Sequence, residues 1–70
     1  MNKMKAARFI KQVNQPMLAL VTGISQTRIS LIENSLVTPR LDEMLRIADA
    51  LWVKVEDIFP EESSNGSDER

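Results

Sequence analysis

One glycine set between two capped segments of helical period constrains this chain more than any other feature. Residues 15–34 read QPMLALVTGISQTRISLIEN. Asn14 and Ser25 each offer a side-chain oxygen to an unpaired first-turn amide, so a helix is predicted to start just after each of them. Pro16 suits a first turn, where its missing N–H costs nothing and its fixed φ is already helical. It also restricts Gln15, which leaves open whether that residue caps the helix or begins it. Gly23 falls where the chain must turn sharply, with a positive φ that glycine adopts without steric cost. The expectation is two short helices, roughly 15–21 and 26–33, joined by a turn of about three or four residues. Leu18 and Ala19 in the first, and Ile24, Ile29 and Ile32 around the second, fall at the spacing of a buried side.

The flanking segments extend the helical reading. Residues 3–13 place Met4, Ala7, Phe9, Ile10 or Lys11, and Val13 near helical spacing, with lysines along the outer edge. Residues 35–40, SLVTPR, lack periodicity and contain Pro39, which predicts a loop. Helical spacing resumes over residues 41–51 through Leu41, Met44, Leu45, Ala48 and Leu51. Asp42 and Glu43 there are placed well for the helix dipole. Residues 55–59 predict a last helical turn contributing Val55, Ile58 and Phe59 to the core and stopped by Pro60. Residues 61–70 are polar with nothing to bury and read as a disordered acidic tail. The expected organisation is all-α: one five-helix domain over residues 1–60, then the tail.

Composition narrows the possible chemistry. The chain has 70 residues with no cysteine, histidine or tyrosine. Disulfides, thiolate metal sites and the commonest general base are therefore absent, and no enzyme, metal site or cofactor is expected. No apolar run approaches the roughly 20 residues that span a bilayer. The basic start lacks the apolar stretch of a secretory signal, so a cytoplasmic location is expected. Net charge is −1, but it divides into +5 over residues 1–40 and −6 over residues 41–70. That asymmetry points either to one cationic face or to ordinarily solvated helices of opposite sign.

The exposed side of the second short helix carries Gln26, Thr27, Arg28, Ser30 and Leu31. Amide, hydroxyl, guanidinium and small apolar groups on one helix face are the groups that read base edges in a DNA major groove.

These residues carry a family resemblance. Gln15, Leu18, Ala19, Gly23, Ile24, Ser25, Ile29, Ser30, Ile32, Glu33 and Asn34 stand in register with the helix-turn-helix of the lambda-repressor and Cro-like family (Xre type), which the segment resembles. Downstream, Pro39, Leu41, Met44, Ile47, Ala48, Ala50 and Leu51, and then Val53, Val55, Asp57, Ile58 and Phe59, continue the match. The similarity covers residues 4–59 and implies a compact five-helix domain with the helix-turn-helix at helices 2 and 3. By position it implies base contacts from Gln26, Thr27, Arg28 and Leu31, with Gln26 suited to adenine, Arg28 to guanine or a phosphate, and Leu31 to a thymine methyl. Phosphate contacts are implied for Gln15, Ser30, Asn34 and Arg40, and an ion pair between Arg8 and Glu33.

The chain also departs from the family pattern. Ser35 stands where glycine is usual. Leu36, Val37 and Thr38 replace a loop often rich in lysine, and Met17, Leu20 and Val21 are apolar where charges are usual. Trp52 stands where a glycine or asparagine normally ends the fourth helix. Two readings stand for Trp52, a cap on the core near Phe59 and an anchor for a second copy.

The leading functional expectation is a sequence-specific DNA-binding regulator, a repressor acting as a homodimer on a palindromic operator. The alternative is a protein-interaction module, an antitoxin or adaptor, using an apolar surface around Met17, Leu20, Val21, Leu36 and Val37.

Overall fold

The computed structural model describes residues 2–60, and the expected tail at 61–70 lies outside them. Five helices follow in order, α1 (Met4–Lys11), α2 (Gln15–Thr22), α3 (Gln26–Glu33), α4 (Leu41–Ala50) and α5 (Val55–Ile58), and the described residues form no strand. α2 packs on both α3 and α4, and α4 packs on α5.

The caps act as their residue types dictate. Asn14 accepts a hydrogen bond from the Met17 amide and Ser25 from the Arg28 amide. Gln15 is therefore the first residue of α2 and Asn14 its cap, which resolves the ambiguity Pro16 created. Gly23 ends α2 at φ 75°, and its N–H donates to the Ala19 carbonyl at 2.9 Å. A Cβ there would meet nothing within 4 Å, so glycine is favoured by backbone conformation rather than by crowding. Thr22 fastens the same turn. Its hydroxyl donates to the Leu18 carbonyl at 2.7 Å and accepts from the Ile24 amide at 3.2 Å.

Three other helices end on a left-handed residue that is not glycine: Gln12 after α1, Ser35 after α3 and Trp52 after α4, at φ 59°, 59° and 60°. Each end is closed by the same pair of bonds. The left-handed residue's N–H reaches back three residues, Gln12 to Phe9, Ser35 to Ile32 and Trp52 to Asp49. The following N–H reaches back five, Val13 to Arg8, Leu36 to Leu31 and Val53 to Ala48. These are Schellman turns, which favour glycine at the left-handed position because any Cβ there is crowded by its own carbonyl. Replacing Ser35 by glycine is accordingly expected to raise stability by about 0.5–1 kcal/mol, or several degrees in melting temperature. Thermal unfolding checks this, and a lower midpoint would show that the Ser35 side chain contributes more than its strain costs.

The core collects Met4, Leu18, Ile24, Ile29, Ile32, Met44, Ile47, Ala48, Leu51, Ile58 and Phe59, with Ala7, Val13, Ala19, Val37 and Val53 among the half-buried residues packed against it. The two ends of the domain meet, since the Lys3 N–H donates to the Ile58 carbonyl at 2.9 Å.

Several apolar residues at helical spacing stay outside the core: Phe9, Ile10, Leu41 and Leu45 are exposed. Short helices have too few neighbours to cover a wide apolar face. α1 turns only Met4 and Ala7 inward, and α4 turns Met44, Ile47 and Ala48. Trp52 does not cap the core; it is 85% exposed. As the left-handed residue of its turn it directs its side chain outward, and Leu51 and Val53 on either side supply the inward contacts.

Candidate nucleic-acid interface

The outer side of α3 follows from what its inner side buries. Ile29 and Ile32 are wholly buried. At about 100° per residue, that leaves Gln26, Thr27, Ser30, Leu31 and Asn34 on the opposite face. Gln26, Thr27, Ser30 and Leu31 line one shallow concavity together with Gln15 from the start of α2. Gln26 and Thr27 are exposed, whereas Ser30 and Leu31 are half-buried.

The angle of α3 against the rest of the domain is held by a polar network around Glu33, whose side chain is 2% exposed. Arg8 of α1 grips it with two parallel bonds, Nε to Oε1 at 2.9 Å and Nη2 to Oε2 at 2.8 Å. The Arg8 Nη1 donates to the Val13 carbonyl at 3.0 Å, and Gln15 Nε2 donates to Glu33 Oε1 at 3.3 Å. Asn2 adds a bond from its amide to the Ile32 carbonyl at 2.7 Å. The end of α3 is thus tied to α1, to the α1–α2 connection and to the start of α2. Burial pushes the Glu33 carboxyl up, but hydrogen bonds from Arg8 and Gln15, with the positive charges of Arg8 and Lys5, outweigh it and hold the pKa below the usual carboxylate range.

Arg28 is placed otherwise than the resemblance implies. Its guanidinium turns away from the concavity and grips Glu43 of α4, Nε to Oε2 and Nη2 to Oε1, both at 2.9 Å. The Glu43 side chain is 5% exposed and also accepts the Arg40 backbone N–H at 2.8 Å. The physical reason is the partner: residue 28 lies on the flank of α3, where its long side chain comes within reach of the Glu43 carboxylate on α4. Position alone suggested a base reader; in the DNA-free domain the guanidinium is held by a neighbouring carboxylate.

The phosphate candidates fall around the rim. Gln15 donates one N–H to Glu33 and retains the other. The exposed Asn34 uses its amide on the Ser30 carbonyl at 2.9 Å, finishing α3. Arg40 is exposed and pairs with Asp42 at 3.3 Å, and Asp42 also faces Arg46 at 3.6 Å. These are surface pairs of small energetic worth.

Glu43 makes the domain sensitive to acid. Hydrogen bonds from Arg28, opposed by burial and helped by the Arg40 N–H and both arginine charges, hold its pKa down to about 2 from 4.5. A depressed carboxylate stabilises the folded chain fully above the unfolded pKa and progressively less as pH falls through the folded one. Stability is therefore expected to fall between pH 4.5 and about 2. Glu43→Gln should flatten part of that decline; denaturant midpoints measured across the range check it, and an unchanged slope would contradict it.

Of the other basic residues described, Lys3, Lys5 and Lys11 belong to α1 or its approach and Lys54 precedes α5, and the loop at 35–40 offers only Arg40. Among the described residues no helix is long and apolar enough to cross a membrane.

No curated protein is significantly similar to the chain. A helix-turn-helix family model matches residues 11–58, from the end of α1 to the end of α5. That match spans most of the domain and includes both helices of the motif, the Gly23 turn and the α4–α5 support. The family is a DNA-binding one without enzymatic activity, and DNA is the partner it implies. The chain belongs to the Cro/C1-type, lambda-repressor-like helix-turn-helix family.

Proposed function

We propose that the chain is a sequence-specific transcriptional regulator of the cytoplasm, a repressor that sets α3 in the major groove of a palindromic operator and blocks polymerase by occupying the site. The supporting observation is the outer face of α3. Gln26, Thr27, Ser30 and Leu31 form one surface with Gln15, while Ile29, Ile32 and Glu33 are buried against the rest of the domain. Gln26 would read adenine through its amide, and Thr27 and Leu31 would contact thymine methyls. Gln15, Ser30, Asn34 and Arg40 would hold phosphates and set the register. With no lysine in residues 35–40, few counterions are displaced there. The salt dependence should be shallow, because each missing phosphate contact lowers the log–log slope by about one.

A two-fold dimer would place half-sites about one helical turn apart. Trp52 is proposed as its anchor. It lines a shallow depression with Val21, Ala50 and Val53, rimmed by Asp49, Lys54 and Asp57. Apposed copies could bring Lys54 of each against an aspartate of the other, a self-complementary arrangement.

Selection from random duplexes, with stoichiometry read on the selected complex, tests both parts. Gln26→Ala is expected to weaken binding to the selected site by about tenfold to a hundredfold while leaving nonspecific binding alone. No discrimination between selected and random DNA at moderate salt would refute the reading.

A second reading rests on the exposed side chains of Met17, Leu20, Val21 and Leu36, an apolar surface that a partner protein would cover, as in an antitoxin or adaptor. Val37 drops out of that surface because it packs against the core. Under this reading Gln26→Ala leaves partner binding intact.

A further inference from the structure

We propose that Glu43 determines operator specificity by withholding Arg28 from the bases, so that the position Arg28 would otherwise face goes unread. The inference rests on the DNA-reading role proposed above and adds a residue of α4, outside the helix-turn-helix.

The geometry carries it in three steps. First, Arg28 is the one guanidinium on α3, and a guanidinium is the side chain that pairs bidentately with guanine O6 and N7. Second, the fork that would make that contact is already engaged, with Nε and Nη2 each 2.9 Å from a Glu43 oxygen. Third, Glu43 has little freedom to follow Arg28 or to be left behind. It sits in the first turn of α4, where the dipole favours an anion, and the Arg40 N–H holds its Oε1 at 2.8 Å. Pulling Arg28 into the groove would strand a carboxylate whose side chain is 5% exposed. What remains for direct readout, Gln26, Thr27 and Leu31, is suited to A·T pairs. Arg28 thus becomes a positioning residue that ties α3 to α4, and Glu43 the residue that keeps guanine out of the recognised sequence.

Random-duplex selection with the wild type, Glu43→Gln and the double variant Arg28→Met/Glu43→Gln tests this, with folding of each monitored by circular dichroism. The double variant removes both charges and so avoids an unpaired buried one. The wild-type motif is expected to be A·T-based. Glu43→Gln should gain a guanine, preferred at least about tenfold, at one new position in each half-site. The double variant should return to the wild-type motif. A Glu43→Gln motif identical to the wild type's overturns the inference. So does a wild-type guanine preference of about tenfold that vanishes in the double variant, which decides alone if Glu43→Gln does not fold. A wild type that selects no motif refutes the DNA-reading role itself, an outcome distinct from an intact motif that ignores Glu43.

Discussion

Replacing Glu33 by alanine is expected to cost about 3–5 kcal/mol, because it leaves Arg8 partly buried with its carboxylate removed. A domain of this size has a total stability of only about 3–9 kcal/mol, so the variant should lose half of it or more. The loss exceeds one ion pair because Glu33 is a junction. Arg8, Gln15 and, one residue earlier, Asn2 on the Ile32 carbonyl all converge on the end of α3. Urea denaturation is the measurement. Arg8→Met/Glu33→Met should recover much of the loss, since an apolar pair of similar volume leaves no uncompensated charge. A Glu33→Ala midpoint within about 1 kcal/mol of the wild type's would place the pair among those surface bridges that contribute little.

Phe59→Ala is the second large effect, expected at about 3–5 kcal/mol from the lost transfer energy and the cavity left behind. Phe59 is 1% exposed and follows a helix of only four residues, which has no independent stability. α5 is held in place by what it buries: Ile58 and Phe59 enter the core, and the Ile58 carbonyl takes the Lys3 N–H. Removing the ring should therefore loosen the start of α1 as well. Hydrogen exchange at the Lys3 amide, read beside the global denaturation midpoint, checks this coupling; retained protection in a destabilised variant would show the two ends to be independent.

Much of the fold was legible because the signals act over short distances. Asn14 and Ser25 reach only three residues to their amides, and Gly23 needs only its own φ. The bounds of α3 come out as its cap and its buried isoleucines dictate. The residues expected on its outer face lie there apart from Arg28, since a single periodicity decides inner from outer. The short helices were less legible at their edges. The spacing of Leu41 and Leu45 resembles that of Met44 and Ala48, yet the first two are exposed and the others buried. Which side of an apolar helix is covered depends on where its neighbours lie, and no local pattern states that.

The sequence by itself determined five helices, the caps Asn14 and Ser25, the turn at Gly23 and the outer face of α3 apart from Arg28, because each follows from interactions within a turn or two of the chain. Only the tertiary structure decided that Arg28 faces Glu43, fifteen residues away, and that Trp52 stands outside the core it was compositionally suited to fill. An arginine takes the carboxylate that packing brings to it, and a tryptophan follows the backbone turn that carries it. Both depend on how the helices are docked, which spacing along the chain does not encode.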